Sequence, residues 1–273
     1  MPLCVATHNI MNGLHLPPLL RAYARLRRSP GLHLLCVQES VPAAAASILL
    51  ALGRRFRSLR LRAAPRLLLV YDRTVLTPLR ARAVRLPALR RVPLWQRLYT
   101  GAEQKRALLA HFAVRRRRRA LAVANFHLDA AGENEHRGAQ LEALGRAVAT
   151  EASLRSRRLP LLACGDTNAF TWLRRHAESD LRRMLEPLRR GHGARDAHAH
   201  RPVDTHFFAR ANEPKLGHRI AVAAGKVGID FPRRYDVICT SLPAVSSGTL
   251  STPASDHDLV WARLRYSSVD FPR

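Results

Sequence analysis

The feature of this sequence that most limits its fold is a series of short, almost continuously apolar runs spread along the whole chain. These runs are rich in β-forming residues and cover Leu3–Thr7, Leu32–Val37, Leu67–Tyr71, Ala107–Val114, Leu121–His127, Leu159–Cys164, Tyr235–Thr240 and Asp258–Leu264. Runs of this length without alternating polar residues are typical of strands that are buried on both faces. They predict a sheet-based core with several central strands.

Helical patterns lie between these runs. Apolar residues at helical spacing follow Pro17–Pro18, where proline suits a first helical turn. A longer pattern covers Glu133–Arg155, and a third covers Trp172–Arg189, which we expect to end at Pro187 and Gly191. Strands and helices alternate without a Gly/Ser linker or a repeat, so we expect one α/β domain over residues 1–273.

The charge of the chain indicates a partner that carries phosphate. Lys and Arg number 46 against 20 Asp and Glu, which leaves a formal net charge of +26, while 47% of the residues are hydrophobic. That apolar content excludes a disordered basic tail, and the charge attracts nucleic acid, anionic membranes or phosphorylated substrates. A GC-rich genome explains why only three of the basic residues are Lys, but it does not explain the shortage of acids.

Other classes of protein are disfavoured. The longest apolar run, Val41–Gly53, is too short to span a membrane, and no charged and apolar leader precedes Leu3. The four cysteines are far apart in apolar runs, which favours buried strand positions over zinc ligation or disulfides. We therefore expect a cytoplasmic protein, with no transmembrane segment, that acts as a monomer.

Two stretches lack a regular pattern. Arg115–Arg119 is a run of five arginines between two strand candidates, which predicts a hairpin tip that is either solvated or in contact with nucleic acid. Gly191–His206 contains several histidines, and His198 with His200 has the spacing of a zinc-binding pair. Without a cysteine or helical spacing, a polar loop is the preferred interpretation.

Acids, amides and imidazoles collect where the predicted strands end or begin. Six short motifs have this placement: Thr7-His8-Asn9, Cys36-Val37-Gln38-Glu39, Asn125-Phe126-His127-Leu128-Asp129, Gly165-Asp166-Thr167-Asn168, Tyr235-Asp236 and Ser255-Asp256-His257. Each motif alone is weak, since Gly, Asp and Asn are common in turns. Together they place a set of oxygen and nitrogen donors, suitable for a hard divalent cation and acid–base groups, at one edge of the domain.

In their order and strand context, these six motifs resemble the endonuclease/exonuclease/phosphatase superfamily of metal-dependent phosphoesterases. The resemblance runs from residue 7 to residue 257. It implies a four-layer α/β/β/α sandwich of two packed mixed β-sheets, with the active site at one edge. It also implies a metal site for Mg²⁺, with Mn²⁺ as a substitute, in which Glu39 is the principal ligand, Asn9 lies nearby and Asp256 contributes directly or through water.

The resemblance also implies roles for the remaining motif residues. Asp236 would orient His257, and Asp166 would align or deprotonate the attacking water. In the family, the residues that match Asn168 and His127 contact the phosphate from opposite sides, so the resemblance implies the same for these two residues. It places Asp129 close behind His127. The two imidazoles remain interchangeable, because sequence does not tell which face of the phosphate each one occupies.

Residues near the motifs add further candidates. Met11 stands where some relatives carry an acid or amide near the metal, which favours one metal over two. Lys105 and Arg106 precede a predicted strand and are candidates for phosphate contacts, with a scaffold role as the alternative for Lys105. Arg137 and Gln140 are one helical turn apart, so they face either the cleft or solvent.

The leading interpretation is a Mg²⁺-dependent phosphoesterase that cleaves phosphodiester bonds by in-line attack of water, acting as a nuclease on DNA or RNA. One alternative is a phosphatase or sphingomyelinase-like phosphodiesterase acting on inositol phosphates or membrane lipids, to which the His127 motif also points. That alternative calls for an interfacial apolar loop, and Pro87–Tyr99 is the candidate. A second alternative is a non-catalytic protein that binds polyanions on the same fold.

Overall fold

The computed structural model describes most of the chain. The described residues are 2–13, 15–92, 94–98, 104–115, 120–153, 159–171, 173–200, 203–207, 219–220, 223–224, 226–227, 234–252 and 254–266. The α-helices whose bounds lie within these ranges are α1 (Leu16–Arg28), α2 (Pro42–Leu52), α3 (Asn134–Ser153) and α4 (Ala177–His192). None of these helices combines the length and the apolar character that a membrane-spanning helix needs.

Twelve strands form two six-stranded sheets. The first sheet contains β1 (Leu3–Asn9), β2 (Leu34–Gln38), β3 (Phe56–Leu61), β4 (Ala64–Asp72), β11 (Ala244–Leu250) and β12 (Leu259–Leu264). The second contains β5 (Leu76–Arg85), β6 (Arg106–Val114), β7 (Ala120–His127), β8 (Leu161–Asp166), β9 (Arg195–Asp196) and β10 (Asp236–Thr240).

Each sheet has one parallel pair of strands at its centre. The strand orders are β11-β12-β1-β2-β4-β3 and β5-β6-β7-β8-β10-β9, with β1 parallel to β2 and β7 parallel to β8. The other neighbours are antiparallel. The carboxyl ends of both parallel pairs carry the motif residues, so the mixed sheets place them at strand ends as the sequence predicts.

Three apolar clusters establish a four-layer arrangement. The central cluster joins the inner faces of the two sheets. A second cluster packs α3 and α4 on the outer face of the second sheet, and a third packs α1 and α2 on the outer face of the first. The predicted α/β/β/α sandwich is therefore confirmed.

A buried polar network joins the two sheets beside the site. Asn125 of β7 donates from Nδ2 to the carbonyl oxygens of Val37 (3.0 Å) and Leu68 (2.9 Å) in the opposite sheet. Gln38 of β2 donates to Asn125 Oδ1 (2.7 Å) and to the hydroxyl of Thr7 (3.0 Å). Because buried amides are costly when unpaired, this network holds the two sheets in one relative position.

Several predicted elements need correction. The third helix does not end at Pro187, which lies inside α4; the helix continues to His192 and closes on Gly193 with a left-handed φ of 65°. Burial of four apolar side chains in α4 stabilises the helix by more than the hydrogen bond that proline removes. These side chains are Leu181, Met184, Leu185 and Leu188. The sequence patterns did not predict α2, nor the half-exposed strands β3, β5 and β11, which lack a continuous apolar run.

The two irregular stretches have partly regular structure. β6 and β7 pair antiparallel up to Ala113 and Ala120. The hairpin tip predicted at Arg115–Arg119 falls mostly on residues 116–119, which lie outside the described part. The Gly191–His206 stretch contains the short strand β9 and a β-bridge at His206. All four cysteines are buried and free, as expected.

Candidate active site

Three neighbouring strands carry polar residues in one row. In the pairing of β7 with β8, His127 lies opposite Asp166, and in the pairing of β8 with β10, Asp236 lies opposite the same Asp166. Asp166 is therefore flanked on both sides by motif residues at the end of the sheet. This register explains why motifs more than a hundred residues apart meet at one edge.

Asp166 lies at the centre of the site. Its Oδ2 accepts a hydrogen bond from Asn9 Nδ2 (3.0 Å) and lies 3.7 Å from Nε2 of both His127 and His257. Its Oδ1 accepts the backbone N–H of Asn168 (2.8 Å). The carboxyl group is buried, so these contacts define its orientation.

The first sheet contributes Glu39 and Asn9. The parallel register puts Asn9 opposite Gln38, and Glu39 follows at the end of β2 with a left-handed φ of 54°. Asn9 Nδ2 lies 3.5 Å from Glu39 Oε1, so its amide connects Glu39 to Asp166. On the other side of the Glu39 carboxylate, Arg66 Nη2 lies 3.2 Å from Oε2. Glu39 thus sits between an amide and a guanidinium at the mouth of the site.

The segment before β12 holds Asp256 and His257. His257 Nδ1 lies 2.7 Å from Asp236 Oδ2, which leaves Nε2 directed toward the other carboxylates. Two hydrogen bonds fix the backbone of this segment: Ser255 Oγ donates to the Asn9 carbonyl (2.7 Å), and Thr252 Oγ1 donates to the His257 carbonyl (3.0 Å). The position of His257 is therefore determined by both sheets.

Burial and charge set the protonation of the two imidazoles differently. Burial alone would lower the pKa of His257, but the carboxylates of Asp236, Asp166 and Asp256 raise it well above its usual value. Burial and the charge of Lys105 lower the pKa of His127. His257 is accordingly the imidazole that carries positive charge in the site.

The carboxyl groups respond to the same surroundings. Burial raises the pKa of Asp236 to about 6, although His257 opposes this shift. Burial would also raise the pKa of Asp166, yet the imidazoles of His257 and His127, with the hydrogen bonds from Asn9 and Asn168, lower it. Asp166 is therefore the better candidate for an ionised carboxylate beside a substrate.

Asn168 adopts a left-handed conformation, with φ of 47°. Such a φ is uncommon outside glycine, and asparagine tolerates it better than most residues. Its Nδ2 donates to the carbonyl of Leu128 (3.0 Å), which ties the loop after β8 to the loop after β7. Asn168 thus lies at the site, where the sequence analysis places it, with one of its donors engaged by the backbone.

Asp129 faces α3 rather than the row of strand ends. Its Oδ2 lies 2.8 Å from His136 Nε2 and accepts a hydrogen bond from Gln140 Nε2 (2.8 Å). Arg137 donates to the carbonyls of Asp129 and Ala130 (2.9 Å each). Arg137 and Gln140 are both buried, so neither expectation for them, an exposed face or a cleft, is correct; they bind the loop after β7.

Lys105 and Arg106 differ in their relation to the site. Lys105 precedes β6, and its charge lowers the pKa of His127, so the ammonium group lies near that imidazole. Arg106 begins β6 as an exposed residue opposite Arg85, and we find no contact between it and the other site residues in the described part of the chain. The structure therefore brings Lys105, but not Arg106, to the motif residues.

Three residues that contact the site are not among the candidates that the sequence indicates. Arg66 pairs with Glu39, Thr205 Oγ1 accepts the backbone N–H groups of Tyr235 and Asp236 (3.0 Å each), and His206 lies 3.4 Å from Asp256. Arg66 stands directly before an apolar run, which is the only sequence signal it offers. Thr205 and His206 belong to a stretch with no apolar periodicity. In the same stretch, His198 is buried while His200 is exposed.

The residues present fit a hard divalent cation. Glu39 and Asp256 offer carboxylate oxygens at the same edge, and Asn9 orients Glu39 through its amide. Oxygen donors of this kind suit Mg²⁺ or Mn²⁺. His257 does not belong to this oxygen-donor set, because it offers a ring nitrogen, and its other ring nitrogen is held by Asp236.

Comparison with known proteins supports the fold. No protein-family model and no curated protein matches the sequence. Among solved structures, an endonuclease/exonuclease/phosphatase from Bacteroides vulgatus aligns with a TM-score of 0.66 and 15% identity over 98% of this chain and 100% of its own. The human Nocturnin catalytic domain with bound sulfate aligns with a TM-score of 0.65 and 17% identity, over 97% and 95%.

A DNA-bound structure is similar to the same extent. The D. rerio TDP2 structure, complexed with a single-strand DNA product, aligns with a TM-score of 0.64 and 12% identity, over 97% of this chain and 99% of its own. These identities are low, and the likeness is one of fold. The chain has the fold of endonuclease/exonuclease/phosphatase proteins, in agreement with the resemblance of its six motifs.

Proposed function

We propose that this chain is a divalent-metal-dependent phosphoesterase that hydrolyses phosphodiester bonds in DNA or RNA. The observation that carries the proposal is the central carboxylate: Asp166 Oδ2 lies 3.7 Å from two imidazoles and 3.0 Å from the amide of Asn9. A buried carboxylate between two imidazoles is suited to align a water molecule and accept its proton. The solved structures that share this fold include a mannosyl-6-phosphatase and a 2',3'-cyclic phosphatase, which supports a reaction at a phosphate ester.

Asp166 and His257 have complementary roles in this proposal. Asp166 orients the attacking water and takes its proton, because its pKa is lowered and its oxygen faces the site. His257 donates from Nε2 to a phosphoryl oxygen and stabilises the negative charge that develops there. Asp236 holds the His257 ring through Nδ1 at 2.7 Å, which selects Nε2 as the donor.

His127 and Asn168 complete the contacts to the phosphate. His127 lies on the opposite side of Asp166 from Asp236 and is near Lys105, so it contacts a second phosphoryl oxygen with that charge behind it. Asn168 has one N–H on Leu128 and a second available for a phosphate oxygen. Asp129 supports this side indirectly, through the loop that α3 holds.

Glu39 and Asp256, with Asn9 beside them, would hold the metal. A bound Mg²⁺ supplies Lewis-acid polarisation of the phosphate at this edge. The chain's own contribution is to keep Glu39 accessible: it ends a buried strand, yet its side chain is 21% exposed. Mn²⁺ prefers the same oxygen donors and is expected to replace Mg²⁺.

The preference for nucleic acid rests on charge. The net charge is +26, and guanidinium and ammonium groups lie beside the site at Arg66 and Lys105. A polymer with one phosphate per nucleotide engages several such charges at once, whereas a small phosphorylated metabolite engages only those nearest the reacting group. The surplus of basic residues therefore favours a nuclease over a phosphatase of small molecules.

An activity panel tests the reaction. The purified protein is incubated with plasmid DNA, single-stranded DNA, RNA, inositol phosphates and sphingomyelin vesicles, in Mg²⁺, in Mn²⁺ and in EDTA. We expect cleavage of nucleic acid that EDTA abolishes. Asp166→Asn and His257→Asn are expected to lower the rate at least about 100-fold. His200→Asn is the matched control, since His200 is exposed and outside the site.

The same panel separates the alternatives. Hydrolysis of inositol phosphates or sphingomyelin without cleavage of nucleic acid would retain the phosphoesterase and reject the nuclease. Cleavage that survives both substitutions would reject the assigned site. Binding without turnover of any substrate would indicate a polyanion-binding protein. Asp166→Asn also allows binding to be measured without cleavage, and we expect its affinity for DNA or RNA to fall steeply with salt.

A further inference from the structure

His206 and His257 face each other across a short antiparallel bridge. Backbone hydrogen bonds lie on either side of the pair, donated by the amides of Phe207 (2.6 Å) and Asp258 (2.7 Å). This is the pattern of a non-hydrogen-bonded antiparallel pair, in which the two side chains lie on the same face at their closest spacing. The backbone therefore brings the two imidazoles together, independently of their own interactions.

Each imidazole is fixed by a contact with a different residue. The ring of His206 stacks on Tyr235, with centroids 4.8 Å apart and an interplanar angle of 22°. His257 is held through Nδ1 by Asp236 at 2.7 Å. A carboxylate on one ring nitrogen of a histidine is the usual support for a metal ligand at the other nitrogen, because it fixes the ring and makes it more basic.

The Nε2 atoms of both rings lie near the Asp256 carboxylate. His206 Nε2 lies 3.4 Å from Asp256 Oδ2, and His257 Nε2 lies 4.0 Å from Asp256 Oδ1. One ligand atom from each of the three residues falls within 4.8 Å of the others. Bonds of about 2.0–2.1 Å to nitrogen or oxygen place neighbouring ligands of a tetrahedral zinc ion about 3.3 Å apart. The distance from His206 Nε2 to Asp256, 3.4 Å, is close to this value, the distance from His257 Nε2, 4.0 Å, is somewhat longer, and all three residues are buried.

We propose that His206, Asp256 and His257 form a second metal site, which binds Zn²⁺ and inhibits the enzyme when it is occupied. Two imidazoles and one carboxylate are a donor set for a borderline transition metal, whereas the oxygen donors around Glu39 suit Mg²⁺. Three protein ligands leave a fourth position open to solvent. The two sites share Asp256, so Zn²⁺ changes a residue that the Mg²⁺ site uses.

Inhibition follows from the residues that the ion would occupy. His257 Nε2 lies 3.7 Å from Asp166 Oδ2 and, in the proposed reaction, donates to the phosphate. A metal on the same Nε2 displaces the proton of that nitrogen, which is released to solvent, and so removes the donor. This consequence rests on the proposed function, but the binding of Zn²⁺ does not, and the two are measured separately.

Calorimetry on the metal-free full-length protein tests the binding. Zn²⁺ alone is titrated at fixed pH into the Glu39→Gln variant, which removes the principal ligand of the Mg²⁺ site. We expect one Zn²⁺ per chain, and we expect His206→Phe in the same background to weaken the affinity at least about tenfold. Phenylalanine keeps an aromatic ring against Tyr235, and His200→Asn is the control for loss of an exposed histidine. Equal affinity with and without His206 would overturn the proposal.

Cobalt spectroscopy on the unsubstituted protein gives a second measurement if the His206 variant does not fold. Co²⁺ in a four-coordinate site with nitrogen ligands absorbs visible light much more strongly than octahedral Co²⁺ with oxygen ligands. We expect the intense spectrum with saturating Mg²⁺ present, and its loss on addition of Zn²⁺. A weak octahedral spectrum alone would overturn the site.

The inhibition is tested last, in Mg²⁺ with whichever phosphodiester substrate is cleaved. Zn²⁺ is expected to inhibit the unsubstituted enzyme, and His206→Phe is expected to require at least about ten times more Zn²⁺. Equal sensitivity of the two proteins would reject the inhibitory role. If no substrate is cleaved, the proposed function fails, while the calorimetric and Co²⁺ results still decide whether the metal site exists.

Discussion

Arg66 forms an ion pair with Glu39, the residue expected to be the principal metal ligand: Arg66 Nη2 lies 3.2 Å from Glu39 Oε2. The same nitrogen lies 2.6 Å from Asn12 Oδ1, which keeps the guanidinium in place. In the proposed function, this positive charge would compete with a metal ion for the Glu39 carboxylate and, with the ion bound, would lie beside the phosphate. We therefore expect the pair to affect both metal affinity and substrate affinity.

We predict that Arg66→Gln strengthens Mg²⁺ binding and weakens substrate binding. The Arg66 side chain is 47% exposed, so solvent screening limits the effect of its charge to about 0.5–1 kcal/mol, or about two- to fivefold in the Mg²⁺ dissociation constant. Calorimetric titration of Mg²⁺ measures the first effect, and KM measures the second. Arg146→Gln, which breaks an exposed pair with Glu142, is the control. Weaker Mg²⁺ binding in Arg66→Gln would contradict the prediction.

Asp236→Asn is predicted to lower kcat at least about 100-fold with little change in KM. The amide is similar in size to the carboxylate, but it carries no charge to stabilise the positive form of the His257 imidazole. It presents either a donor or a neutral acceptor to His257 Nδ1. Steady-state kinetics in Mg²⁺ measure the change, with Glu142→Gln as a surface control. A loss confined to KM would mean that Asp236 acts on substrate binding and not on the His257 imidazole.

Gly165→Ala is predicted to prevent normal folding or to destabilise the protein by more than about 3 kcal/mol. A Cβ at Gly165 would overlap the carbonyl oxygen of Phe126, its partner in the parallel pairing of β7 with β8. The neighbouring Asp166 would move with it. Urea unfolding measures the effect. Gly191→Ala is the matched control, because a Cβ there meets nothing within 4 Å and lies in the last turn of α4. We expect that variant to be neutral or slightly more stable.

His33 is predicted to make the fold sensitive to acid. The backbone N–H of Cys4 donates to His33 Nδ1 (2.9 Å), and burial lowers the pKa of this imidazole in the native state. The unfolded chain, with a pKa near 6.5, therefore binds the proton more readily. The stability that His33 contributes is present above about pH 6.5 and is lost as the pH falls below that value.

Unfolding free energies in EDTA at pH values of about 7.5 and 5 measure this loss. His33→Asn keeps an acceptor for the Cys4 amide but does not titrate, so its stability is expected to fall less between the two pH values. His200→Asn serves as the exposed control. The same pH dependence in His33→Asn and the unsubstituted protein would show that other groups are responsible.

Sequence patterns predicted the buried parts of the fold better than its exposed parts. β1, β2, β7 and β8 are buried throughout or nearly so, and their continuous apolar runs identified them. β5 and β11 have mostly half-buried or exposed residues, so their hydrophobic pattern is weak, and they form because a neighbouring strand offers its hydrogen bonds. Pro187 shows the same principle in α4, where packing outweighs a local helix-breaking preference.

The sequence by itself determined the nature of the chemistry, because carboxylates, amides and imidazoles placed at the ends of apolar strands meet at one sheet edge. Only the tertiary structure decided what each of these groups contacts. Asp129 turns to α3, Arg66 pairs with Glu39, and His206 lies beside His257. These contacts depend on strand order and register between segments far apart in the chain, such as His127, Asp166 and Asp236 in adjacent strands. Local patterns carry no information about such pairings, since the free energy that selects them comes from packing the two sheets together.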